Sequence, residues 1–199
     1  GFMAKELHME LSEEKTLITH SNEGVRFLGY DICVRRCSLI KKTGDIKLPK
    51  RTLNNKIELN IPFKDKIEIF MFEKGIIGQK ETGEIEPIHR KSLLRLTPLE
   101  IVQTYNSELR GICNYYCMAS NFSRLDYFSY LMEYSCLKTL AAKFRSSIGK
   151  IKAKYKDGHG NWGIPYETKT EKKRMYFADY MNCKKATKCT DEVSNQAII

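Results

Sequence analysis

The stretch "LKTLAAKFRSSIGKIKAKYK", residues 137–156, carries Lys138, Lys143, Arg145, Lys150, Lys152, Lys154 and Lys156 and no acid. At about 100° per residue, Leu137, Leu140, Phe144, Ile148, Ile151 and Tyr155 form one apolar stripe. Lys138, Arg145, Lys152 and Lys156 line one flank of that stripe, and Lys143, Lys150 and Lys154 line the other. Opposite the stripe lie Ala142, Ser146, Gly149 and Ala153. Small residues between two rows of cations allow a polyanion to come close along the centre while long side chains reach phosphates on either side. This geometry suits a helix laid along the wide, shallow minor groove of an RNA-containing duplex. Such contacts position a duplex without reading its sequence. The plain alternative is a solvated amphipathic helix whose lysines serve solubility.

Other chemistry-bearing residues are thinner on the ground. "YFADY", Tyr176–Tyr180, has the outline of the Y-x-D-D metal-binding turn of reverse transcriptases. Asp179 is followed by Tyr180, so the second carboxylate is missing; the match is read as a coincidence, on a helix spanning about 170–182. His8, His20, His89 and His159 are scattered, and no nucleophile stands beside any of them. Seven cysteines show no C-x-x-C pair and no zinc-type histidine spacing. They read as free thiols of a reducing compartment. Trp162 could stack on a base or simply fold over a helical core.

The elements that would position the cations are legible downstream of residue 97. Thr97, Pro98 and Glu100 form a capping box with a helix-initiating proline. Val102, Tyr105, Leu109, Ile112 and Tyr116 follow at helical spacing. "SNFS" ends that helix and starts a second, with Leu125, Phe128, Leu131 and Met132 inward, and a third is expected from about Ser135 to Tyr155. Three consecutive helices with short connections predict a small bundle. Upstream, "KTLITHSNEGVRFLGYDI" reads as a hairpin, with "SNEG" as its turn and Phe27, Leu28, Gly29 and Tyr30 in the return strand. "CSLIKK" and "DIKLP" flank a turn at Thr43-Gly44, a short helix is expected near 64–75, and "GQKETGEIEPIHRK" reads as a polar connector. The fold class is α+β.

The 199 residues carry a net charge of +10, which calls for an acidic partner: nucleic acid, an anionic membrane or an acidic protein. No apolar run approaches the roughly 18–20 residues that cross a bilayer, and no signal peptide is visible.

Three blocks together resemble the group II intron-encoded proteins, the reverse transcriptase-maturases. "LSEEKTLITHS" with "VRFLGYDI" resembles the last palm block, which forms the primer grip. "YNSELRGICNYY" and "SCLKTLAAKFRSSIGKIKAKY" resemble successive helices of the maturase domain, called domain X, which is the thumb. The resemblance implies that Phe27, Leu28, Gly29 and Tyr30 lie on the hairpin that holds a primer terminus. It implies that Arg110, Lys138, Lys143, Arg145, Lys150, Lys152, Lys154 and Lys156 contact RNA or hybrid phosphates. It further implies a division into a palm end with the primer-grip hairpin (1–40), a basic connector (41–90), the thumb or domain X (91–182) and a flexible tail (183–199).

The expected partners are intron RNA, the RNA/DNA template-primer duplex and the remaining fingers-palm part of the same protein, with no membrane. The family's catalytic aspartates lie upstream of the primer grip, so the chain is expected to be a piece of a larger protein and inactive as a polymerase alone. No catalytic residue, metal ligand or cofactor is assigned within it; Mg²⁺ is expected for the full-length parent. The expected location is the cytoplasm of a bacterium or an organelle. A competing reading is a small basic scaffold that docks an acidic protein surface. A metal-dependent nuclease is disfavoured by the scattered histidines and carboxylates.

Overall fold

In the computed structural model the described residues are 5–6, 8, 18–21, 23–36, 41–43, 48–50, 55–168 and 170–182. The fold is mixed α and β, and the chain divides into two compact units, Gly1–Asn60 and Ile61–Ile199.

The first unit contains a three-stranded antiparallel sheet in the order β1 (Val25–Phe27), β2 (Tyr30–Arg35), β5 (Lys56–Asn60). A separate pair, β3 (Lys41–Thr43) and β4 (Leu48–Lys50), forms a short ladder. The hairpin turn differs from the one expected. The chain reverses at Leu28-Gly29, with Phe27 opposite Tyr30. Both turn residues have positive φ, +47° and +76°, the backbone of the tight two-residue turn whose twist matches that of paired strands. Thus "VRFLGYDI" folds back on itself. Ile18–His20 are not strand, and Lys15–Leu17 lie outside the described residues.

The second unit is built on two long helices, α2 (Pro98–Tyr115) and α3 (Leu125–Lys143). A π-helical turn, Phe63–Glu68, runs into α1 (Ile69–Glu73), where the sequence pointed to a short helix. The capping box forms as expected: the Glu100 amide donates to Thr97 Oγ1 at 3.3 Å, and the Thr97 amide donates to Glu100 Oε2 at 2.7 Å. Those two groups of Thr97 hold the Glu100 carboxyl below its usual range, with a smaller contribution from Lys143. The core joins Ile101, Val102, Tyr105 and Leu109 of α2 to Leu125, Phe128, Met132, Leu137 and Leu140 of α3, with Ile67 and Met71 beneath.

Three expectations are corrected here. The polar stretch 78–91 is not a plain connector: most of it belongs to the hairpin of β6 (Ile77–Gln79) and β7 (Ile85–Pro87). Its end is stapled into the core. Ser135 Oγ donates to the Ile88 carbonyl at 2.6 Å, and Thr139 Oγ1 accepts from the Arg90 amide at 3.0 Å. The Tyr105 hydroxyl lies 2.7 Å from Ser135 Oγ, and burial pushes its pKa well up. Arg90 is itself buried and grips Glu108 with both ends of its fork, at 2.7 and 3.1 Å.

The second correction concerns the expected third helix over 135–155. Its first half is the end of α3. The chain leaves the helix at Phe144 and resumes as α4 (Ile148–Lys154). Arg145 adopts φ +48°; its amide bonds to the Ala142 carbonyl at 3.2 Å and the Ser146 amide bonds to the Ala141 carbonyl at 2.9 Å. That is the bond pattern of a Schellman stop, with arginine in the place where glycine is usual. Ser147 then caps α4, its Oγ accepting from the Lys150 amide.

Third, residues 170–182 are not a helix. β9 (Lys172–Tyr176) pairs with β8 (Gly163–Glu167), and a single 3₁₀ turn, Tyr180–Asn182, follows. Gly163 permits this pairing, since a Cβ there would lie 2.9 Å from the Tyr176 ring.

Candidate nucleic-acid interface

The basic run divides into two classes of cation, those held by the fold and those left exposed. Lys138 lies 3.8 Å from Glu86, Lys143 donates to the Leu94 carbonyl at 3.0 Å, and Lys152 lies 3.9 Å from Glu133 and over the Tyr134 ring. These three are tied to their own fold. Arg145, Lys150, Lys154 and Lys156 are exposed and, among the described residues, make no ion pair with a carboxylate. Lys154 rests on the rings of Phe144 and Tyr155, 4.6 and 5.2 Å from their centroids. That contact directs the ammonium without neutralising it.

Burial explains the placement. Ile151 and Tyr155 are buried and hold α4 against α3, so Lys150 and Lys154 face outward. Phe144 is drawn only partly inside, at 37% exposed, because the stop at Arg145 carries it off the stripe of α3. Of the small residues expected between the cation rows, Ala142 belongs to the end of α3 and Gly149 and Ala153 to α4; all three are exposed.

The remaining sequence-derived candidates lie elsewhere. Arg110 is exposed on α2, and its neighbours across a cleft come from β9. Phe27 and Leu28 are exposed at the tip of the β1–β2 hairpin, at 59% and 72%, with Gly29 and Tyr30 half-buried beside them. That hairpin belongs to the first unit and the cations to the second. Trp162 folds over the helices: its Nε1 donates to Glu133 at 2.7 Å and its ring stacks on Phe177.

Sequence reasoning missed Arg174, which reads as one more cation of "EKKRMY" until β9 is recognised as a strand. It also missed Asn106, a buried amide on the apolar face of α2 whose position on that face was the available signal. Of the thiols, Cys113 and Cys136 are buried, and burial pushes the Cys136 thiol far up, out of the reactive range. Among the described residues no cluster of histidine, cysteine, aspartate and glutamate could hold a metal ion.

The family model for the type II intron maturase matches residues 54–198, which includes every cation of the run. The chain belongs to the type II intron maturase family. It is 56% identical over 198 residues, its whole length, to the group II intron-encoded protein LtrA of Lactococcus lactis subsp. cremoris, and covers 33% of that relative. It is 33% identical over 162 residues to a putative COX1/OXI3 intron 2 protein of Saccharomyces cerevisiae, covering 78% of this chain and 18% of the relative. It is also 39% identical over 70 residues to a maturase K of Chara vulgaris, covering 35% of this chain and 14% of the relative. The chain thus spans about a third of LtrA and less of the others. No helix among its described residues is long and apolar enough to cross a membrane.

Proposed function

We propose that this maturase chain binds group II intron RNA through the cations that follow the α3 stop, and through that contact supports intron splicing. The observation that carries the reading is the set Arg145, Lys150, Lys154 and Lys156, exposed and without carboxylate partners among the described residues, on a maturase-family chain. Such a set exchanges condensed counterions for protein charge when it meets phosphate, so affinity is bought largely with ion release. Lys138, Lys143 and Lys152 add to the field around the duplex but are held by the fold.

The same reading extends to the rest of the chain. The second unit serves as thumb, or domain X, gripping a template-primer duplex during reverse transcription and intron mobility. Phe27, Leu28, Gly29 and Tyr30 serve as primer grip, with Gly29 allowing a backbone to approach the strand. The fingers-palm part of the same protein is the second partner, and catalytic Mg²⁺ belongs to the whole protein rather than to the residues described here. The expected setting is a bacterial cytoplasm or an organelle.

The test is a gel shift with structured group II intron RNA and, in parallel, with a generic acidic protein, each at two salt concentrations. Binding to the RNA that weakens steeply with salt supports the reading. Preference for the acidic protein would instead make the basic face a protein-docking surface.

A further inference from the structure

A second cationic feature is built on α2 and β9. A cleft of about 660 Å³ opens between α2 and β9, lined by Arg110, Asn114, Arg174, Tyr176, Asp179 and Asn182 among others. This is within the size of pockets that take small organic ligands, about 300–1,000 Å³.

Its two guanidiniums are prepared differently. Arg174 is anchored: its Nη1 donates to the carbonyls of Tyr155 and Gly163, at 3.1 and 3.2 Å. Carbonyls fix the fork without cancelling its charge, and the other N–H donors of the group have no hydrogen-bond partner among the described residues. Arg110 is exposed, with no carboxylate paired to it among the described residues. The amides of Asn114 and Asn182 supply neutral donors beside them. Asp179 is the one acid on the lining, so the cleft carries two guanidinium charges against one carboxylate, a net single positive charge.

The wall between these groups is rigid. Asn106, buried within α2, donates from Nδ2 to the Tyr176 carbonyl at 2.8 Å and accepts at Oδ1 from the Ala178 amide at 2.8 Å. This side chain pairs with the chain as a strand neighbour would. The Tyr176 ring lies against Gly163, its hydroxyl donates to Asp157 at 3.0 Å, and the residue remains 42% exposed. A fixed, exposed ring beside an anchored cation is an arrangement that stacks an unpaired base while its phosphate is held.

We propose that the α2–β9 cleft holds one phosphodiester of an unpaired RNA nucleotide, with Arg110 and Arg174 on the phosphate and Tyr176 under a neighbouring base. The net single charge matches a phosphodiester monoanion. Paired RNA is excluded because its bases are already stacked on one another. This assignment rests on the RNA-binding reading above and adds a site specific for loops and bulges.

The experiment compares an RNA stem closed by an unpaired loop with the same stem as a blunt duplex, using the full chain. Arg110→Gln is expected to weaken loop binding about tenfold and duplex binding less than twofold, with an unchanged melting curve. It should also make the slope of log affinity against log salt shallower by about 0.7 on the loop RNA, the value for one single-strand phosphate contact. Arg174→Lys keeps the charge but loses the fork; loop affinity should fall while the slope holds. Equal weakening of both RNAs by Arg110→Gln, or of neither, overturns the cleft assignment. So does an acidic polypeptide that competes with loop RNA on the wild type but not on Arg110→Gln. If wild type binds neither RNA, the RNA-binding reading falls with it. If neutralising Lys150 and Lys154 weakens both RNAs while Arg110→Gln changes nothing, only the cleft falls.

Discussion

Lys138 and Lys143, on the last turns of α3, face Glu86 and the Leu94 carbonyl. Lys150, Lys154 and Lys156, on α4 and just past it, are exposed, with no carboxylate partner among the described residues. The two groups are one unbroken basic run in sequence. What separates them is the stop at Arg145, which ends one helix and re-aims the next. Both cations before the stop are part of the fold's own bonding; after it Lys152 is likewise held, by Glu133, while Lys150, Lys154 and Lys156 are surplus charge. A run of like charges therefore measures potential only after the backbone has decided which members are spent internally.

The contrast can be tested from both sides. Lys150, Lys154 and Lys156 changed together to Gln should lower affinity for structured intron RNA by roughly a hundredfold, about 2.7 kcal/mol, in a filter-binding titration. The melting curve should stay where it is. Lys143→Met should do the reverse: about 1 kcal/mol lost from stability in urea unfolding, through the bond to Leu94, and less than about a threefold change in RNA affinity. If the two variants behave alike, the division at Arg145 has no energetic meaning.

Arg145 sits on the division itself. Arg145→Gly relieves a left-handed backbone that costs a side-chain-bearing residue roughly 1 kcal/mol, so the melting temperature should rise while RNA affinity falls a few-fold. The smallest effect belongs to Glu100, near Lys143. Its carboxyl is held low by Thr97, so its stabilisation is complete above the ordinary value near 4.5 and is lost as pH falls through the lower folded value. Melting wild type and Glu100→Gln side by side from neutral pH into acid should show a gap that closes only on the acid side.

These cases also mark how far the residues could be read in advance. Helix α2 was legible because its signals agree: a capping box at Thr97, a proline behind it and an apolar face at helical spacing. The stop at Arg145 was not legible because it uses neither glycine nor proline. Its only local sign was Ser147, a capping residue inside an apparently continuous stripe. The β8–β9 hairpin was hidden for another reason. "KKRMY" has almost none of the β-branched character of a strand, and it is held by long-range bonds: Asn106 to the Tyr176 backbone and Gly163 beneath the Tyr176 ring. In the first unit, the apolar pattern of 25–32 identified a hairpin region. The reversal at Leu28-Gly29 was obscured by a leucine at positive φ, where a turn signal normally shows asparagine or glycine. Of the candidate site, the cations themselves were visible, but their division into spent and surplus charge depended on partners distant in sequence, such as Glu86 for Lys138 and Leu94, 49 residues away, for Lys143.

The central claim is that the surplus cations after Arg145 are the ones that meet RNA phosphates. The most direct measurement is the salt dependence of binding to structured group II intron RNA between 50 and 200 mM, for wild type and for the Lys150/Lys154/Lys156→Gln variant. The predicted result is a slope of log affinity against log salt that is shallower by roughly 2–3 in the variant, with coincident melting curves. Parallel lines of equal slope, from two equally folded proteins, would contradict it.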